Sequence, residues 1–87
     1  MVSKKVKINN ATGFQLKPAG VFCEHAMKYK SRISFVFGNY EANCKSVLSV
    51  LGACIKMGDE IDIRCDGEDE EEALAALSDV VENQLTD

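Results

Sequence analysis

The residues with the clearest chemical use lie in two short segments, Gln15-Leu16-Lys17-Pro18-Ala19 and Asn43-Cys44-Lys45-Ser46-Val47. Pro18 suits the first turn of a helix, where its missing N–H has no intrahelical acceptor to lose and its φ is already near helical. That turn brings Gln15 and the Lys17 ammonium to free N–H groups at the positive end of a helix dipole, a place that favours a phosphate. In the second segment Ser46 is a natural N-cap for a helix that starts at Val47, with Lys45 beside it. A phosphate on that hydroxyl gains about 0.3–1 kcal/mol from the helix end when exposed. His25 is the one imidazole in the chain. It follows Pro18 by seven residues, roughly 10 Å along a helix axis, and reads as a surface helical residue.

The elements that position these residues can be read from periodicity and punctuation. Val2, Val6 and Ile8 alternate with Lys5, Lys7 and Asn9 as a half-buried strand, with Lys4 out of place on its apolar face. Ala19, Phe22, Cys23 and Ala26 fall at helical spacing, so the first helix is expected to run to Lys28 or Tyr29. Arg32 to Phe37 and Tyr40 to Asn43 read as a hairpin around Gly38-Asn39. A second helix is expected over Val47 to Ile55, stopped by Lys56-Met57-Gly58. Ile61, Ile63 and Cys65 mark a fourth strand. Asp69 and Glu72 have capping-box character at the head of a last helix, whose stripe is Ala73, Leu74, Leu77, Val81 and Leu85. The order is β-α-β-β-α-β-α.

With 87 residues, 46% of them apolar, residues 1–87 are expected to form one domain with a modest core. No apolar stretch reaches membrane-spanning length and no secretory leader is read, so a cytoplasmic protein without membrane attachment is expected. The net charge of −4 is unevenly spread. Residues 1–66 hold ten bases and six acids, whereas residues 67–87 hold eight acids and no base. The acidic end reads as the solvated face of the last helix, and a net-acidic chain is a poor nucleic-acid binder. Cys23, Cys44, Cys54 and Cys65 lack the spacing of a zinc or dithiol motif, so no metal or cofactor is expected and each is read as a small core hydrophobe.

The same order of elements, with Thr12-Gly13, Pro18-Ala19, Lys45-Ser46, Lys56-Met57-Gly58-Asp59 and the run from Gly67 to Leu74, resembles the HPr family of the bacterial sugar phosphotransferase system over essentially the whole chain. The resemblance implies an α+β open-faced sandwich, one four-stranded antiparallel sheet covered on one side by three helices. In that family the first loop carries a phosphoryl-accepting histidine, followed two residues later by arginine and then proline. Gln15, Lys17 and Pro18 stand at the matching positions. A carboxamide is neither basic nor nucleophilic, so Gln15 cannot carry a phosphoryl group, and Lys17 offers a point charge in place of a bidentate fork.

Ser46, by contrast, matches the family's regulatory serine, the target of the ATP-dependent HPr kinase/phosphorylase. Glutamine at the first site with serine at the second is similar to the Crh branch, which acts as a corepressor for the regulator CcpA. The resemblance therefore implies a non-enzymatic regulatory protein of carbon catabolite control, switched at Ser46. At 100° per residue Val50, Ala53 and Ser49 share one face of the second helix while Val47, Leu48 and Leu51 gather on the other. Only one face can cover the sheet. The expected partner surface is Lys17, Gly20, Lys45, Val47, Leu48 and Leu51. Cys44, Val47, Leu48 and Ser49 replace the alanine, isoleucine, methionine and glycine common in the family. Three other readings stay open: a phosphate-independent adaptor for HPr partners, a phosphocarrier using another nucleophile such as His25, and a thiol sensor at Cys44.

Overall fold

A computed structural model describes residues 1–85 of the chain. The expected alternation sets the first strand, β1, at Val2–Lys7, which runs antiparallel to the fourth, β4, at Glu60–Asp66. Along β4 the residues Ile61, Ile63 and Cys65 are buried, while Asp62 and Arg64 face outward and are only half-buried, with their charges in contact at 3.2 Å. β2, Arg32–Phe37, pairs with β4 on one side and with β3, Tyr40–Asn43, on the other. The sheet order is β1-β4-β2-β3, and every pairing is antiparallel. Gly38 has φ +60° and Asn39 does not, which fits a II′ hairpin turn with glycine at its first central position.

Three helices cover one face: α1, Leu16–Ala26; α2, Val47–Gly52; and α3, Glu70–Asp79, continued by a π-helical turn at Val80–Gln84. Phe14 from the first loop, Phe22 from α1 and Phe35 from β2 meet under them, with ring centroids 4.9, 5.7 and 6.4 Å apart. Burial of each ring contributes on the order of 1.5–3 kcal/mol. Lys4, the charge on β1's apolar face, reaches the edge of this layer and pairs with Glu82 at 3.7 Å.

Element ends depart from the sequence reading in three places. α2 stops at Gly52, because Cys54 adopts φ +55°, and the amides of Ala53 and Cys54 turn back to the carbonyls of Val50 and Leu51. Lys56-Met57-Gly58 is instead a separate turn, tied to β1 by the bonds Gly58 N–H to Ile8 O and Ile8 N–H to Asp59 O, both 2.8 Å. α1 ends at Ala26, and Lys28 and Tyr29 follow in a tighter turn bonded to the His25 and Ala26 carbonyls. The capping box of α3 does not form. The Asp69 carboxylate leaves its own helix and accepts from the amides of Lys30 and Ser31, at 2.8 and 2.9 Å, and from the Ser31 hydroxyl. Glu70 takes over locally and accepts from the Gly67 amide at 3.1 Å.

Candidate functional site

The first of these segments borders an open groove of about 360 Å³, with Gln15 and Leu16 on one side and Leu51, Cys54, Ile55 and Lys56, from the end of α2 and the turn after it, on the other. A backbone contact joins the two walls. The Phe14 amide donates to the Ile55 carbonyl at 3.1 Å, and Gly13, at φ +62°, passes so close that a Cβ there would lie 2.3 Å from that carbonyl oxygen. A side chain at residue 13 would therefore separate the first loop from the end of α2. With Phe14 in the core and Gly13 against Ile55, Gln15 has little choice of position.

Gln15 is the N-cap residue of α1, extended at φ −81°, and its carbonyl accepts from the Ala19 amide at 2.9 Å. Its exposed side chain makes no capping bond. Lys17 is exposed, Pro18 is buried in the first turn, and Gly20 faces open space. His25 lies in the last turn of α1, half-buried and away from the groove. Imidazole chemistry at the first loop therefore has no donor in this chain.

Ser46 is the N-cap of α2: its Oγ accepts from the Ser49 amide at 3.2 Å and its carbonyl from the Val50 amide at 3.0 Å. The loop before it is closely bonded. The Ser46 amide donates to the Asn43 carbonyl at 3.0 Å, and the Lys45 amide to Asn43 Oδ1 at 2.9 Å. The Lys45 ammonium is held 2.7 Å from the Tyr29 carbonyl, so this cation braces the end of α1 as well as standing next to Ser46. Val50 is buried, Val47 and Leu51 are half-buried, and Leu48 is 82% exposed. Leu16, on α1 beside Lys17, is 70% exposed. Of the α2 residues expected at a partner surface, Leu48 lies outward, whereas Val47 and Leu51 are half-buried and pack against the core; Leu16 is exposed across the groove from Leu51, and one position at a helix start carried no periodic signal to reveal it.

The cysteines divide unevenly. Cys23, Cys44 and Cys65 are buried as expected, but Cys54 is exposed, because the left-handed turn that ends α2 puts it in the groove wall. Burial pushes the Cys23 and Cys65 thiols up to about 11 and the Cys44 thiol well above its ordinary value, with the neighbouring sulfurs of Cys23 and Cys65 adding to the effect at Cys44. A thiol so disfavoured as thiolate is a poor redox sensor, and the Cys44 reading loses its support. Among the described residues no group of three or more His, Cys, Asp or Glu side chains is placed to hold a metal ion, and no helix is long and apolar enough to cross a membrane.

The sheet order and the three covering helices define an HPr-type protein, and residues 2–83 match the family model described as the PTS HPr component phosphorylation site. The chain belongs to that family. It is 31% identical over 85 residues to the HPr-like protein Crh of Bacillus subtilis, covering 98% of this chain and all of that one. It is 37% identical over 76 residues to the phosphocarrier protein HPr of Mycoplasma genitalium, covering 86% of each. The crystal structure of HPr-C-His from Thermoanaerobacter tengcongensis superposes with a TM-score of 0.94 at 32% identity, covering 98% of this chain and 96% of that one.

Proposed function

We propose that this chain is a regulatory member of the HPr family, acting in carbon catabolite control and not as a histidine phosphocarrier, with Ser46 as its switch. The observation that carries this reading is Gln15: an exposed carboxamide occupies the first-loop position where the family's phosphoryl chemistry needs an imidazole, while Ser46 keeps its place at the head of α2. Likeness to an HPr-like protein Crh supports the same branch. In the step envisaged, the Ser46 oxygen attacks the γ-phosphorus of ATP on an HPr kinase/phosphorylase. The new bond is Oγ–P, the bond to the β-bridging oxygen breaks, ADP leaves, and the hydroxyl proton passes to a base on the kinase.

The product carries nearly two added negative charges beside Leu48, Val47 and Leu51. Lys45 is the nearest counter-charge in sequence, and Lys17 and Gly20 of α1 form the other edge of the surface. A basic side chain of a CcpA-like transcriptional regulator would meet that phosphate while its apolar residues cover Leu48. Membership of the HPr family points to partners within the phosphotransferase system, and no cofactor enters the scheme.

Incubation with HPr kinase/phosphorylase and ATP, followed by intact mass, should add one phosphate, and Ser46→Ala should abolish the addition. Enzyme I with phosphoenolpyruvate should add none. An acid-labile adduct on His25 in that second arm would restore the phosphocarrier reading, and partner binding unaffected by Ser46→Ala would favour the phosphate-independent adaptor.

A further inference from the structure

α2 has six residues, too few to hold its own shape in water, so the geometry of Ser46 at its head must be imposed from outside. The structure shows where that constraint comes from. The Tyr40 hydroxyl, on β3, donates to the Ser49 carbonyl at 2.8 Å. The Ser49 Oγ accepts from the Asn43 amide, also at 2.8 Å, which ties the same residue to the end of β3. The Ser49 amide in turn donates to the Ser46 Oγ. Ser49 is thus fastened at its carbonyl and its side chain by the hairpin, and with its remaining polar group it holds the Ser46 oxygen.

Gly52 completes the arrangement, since a Cβ at residue 52 would lie 2.6 Å from the Tyr40 hydroxyl oxygen. Only glycine leaves the phenol room to reach α2. Tyr40 remains 39% exposed, so it is held by its hydrogen bond and this contact more than by burial.

We infer that Tyr40 and Ser49 are positioning residues for phosphorylation: they fix the rotamer of Ser46 so that its Oγ, already accepting one hydrogen bond, presents its remaining lone pair to an incoming phosphoryl group. The inference rests on the reading of Ser46 as a kinase target. Nothing in the arrangement touches the phosphoryl donor. Its effect is on the fraction of time the hydroxyl spends in a reactive orientation, which enters kcat and leaves docking alone. The docking residues Val47, Leu48 and Leu51 lie outside the clamp.

Three variants test this with HPr kinase/phosphorylase and ATP: Tyr40→Phe, which removes one hydroxyl; Ser49→Ala, which removes the side-chain acceptor and keeps helix propensity; and Gly52→Ala, which displaces the phenol without altering it. In each, kcat should fall on the order of ten-fold with KM for the protein substrate within about two-fold of the parent. Amide hydrogen exchange at Ser49, which needs no kinase, should speed up in Tyr40→Phe while the amides of β4 keep their protection. Unchanged kcat in variants that remain folded overturns the inference, as does a loss confined to KM. Failure of the parent protein to be phosphorylated at Ser46 overturns the functional reading instead, and the exchange measurement then still decides whether the clamp exists.

Discussion

At single residues, the structure separates positions by the atoms that a change would bring into conflict or release. Gly13 combines a left-handed φ with backbone packed against the place of a Cβ, so Gly13→Ala carries both conformational strain and a clash with Ile55. The expected loss is about 1–3 kcal/mol, measured by urea unfolding, and Gly20→Ala, which faces open space, is the control expected to change stability little or favourably. Ser78 is the opposite case. It is 4% exposed on α3 and its Oγ has no hydrogen-bond partner. Ser78→Ala should therefore be neutral or stabilising by up to about 1 kcal/mol, because the hydroxyl loses water on folding and gains no bond in return. A clear destabilisation on thermal unfolding would mean that the hydroxyl is bonded after all. Gln15 belongs here too: the family resemblance marks its position, and no conformation of a carboxamide makes it an imidazole.

Between elements, the Asp69 carboxylate is the tie that joins the loop between α1 and β2 to the head of α3. Hydrogen bonds from the Ser31 hydroxyl first, and then from the Lys30 and Ser31 amides, lower its pKa to about 2. A carboxyl depressed in the folded state adds stability that is complete above its unfolded value near 4 and is lost as pH falls through about 2. Asp69→Asn should therefore lower Tm at neutral pH and flatten the slope of stability between about pH 5 and pH 2. Glu70 and Asp79 are lowered in the same sense, by the Gly67 amide and by the Asn83 side chain respectively, so some slope will remain. This tie also marks the limit of what the sequence could reveal about the elements. Strand alternation, the Gly38 hairpin, the Pro18 start and the Ser46 cap depend on neighbours a few residues away and were legible. The use made of Asp69 depends on Ser31, distant in the chain, and the early end of α2 depends on a left-handed cysteine where glycine is the usual signal. The π-helical turn, with Asp79 bonded to both Asn83 and Gln84, is local, but the helical stripe through Val81 and Leu85 gave no sign of it.

For the molecule as a whole, the core lies between the sheet and the helix layer. Three cysteines went inward with the phenylalanines, and the fourth was carried outward by the turn after α2. A thiol reagent should accordingly modify one cysteine of the folded protein quickly and all four in denaturant, with Cys54→Ser removing the fast phase. More than one rapid equivalent in the native state would mean that the core opens on the timescale of the reagent. The exposed side of α2 was legible in part, since helical periodicity set Leu48, which is exposed, apart from Val50, which is buried. Periodicity could not give the exposure of Leu16, nor the bonds from Tyr40 and Asn43 to Ser49, which exist only when the first loop and the hairpin are brought to α2.

The clamp at Tyr40 also has an optical consequence. The chain has two tyrosines and no tryptophan. Its ultraviolet emission is thus shared between Tyr29, near the end of α1, and Tyr40, whose phenol is bonded to α2. In Tyr29→Phe the remaining emission would come from a single ring, and any loosening of α2 from the hairpin would alter the hydrogen bond of the fluorophore itself. The protein would then report the attachment of α2 to the hairpin in light, with no label attached.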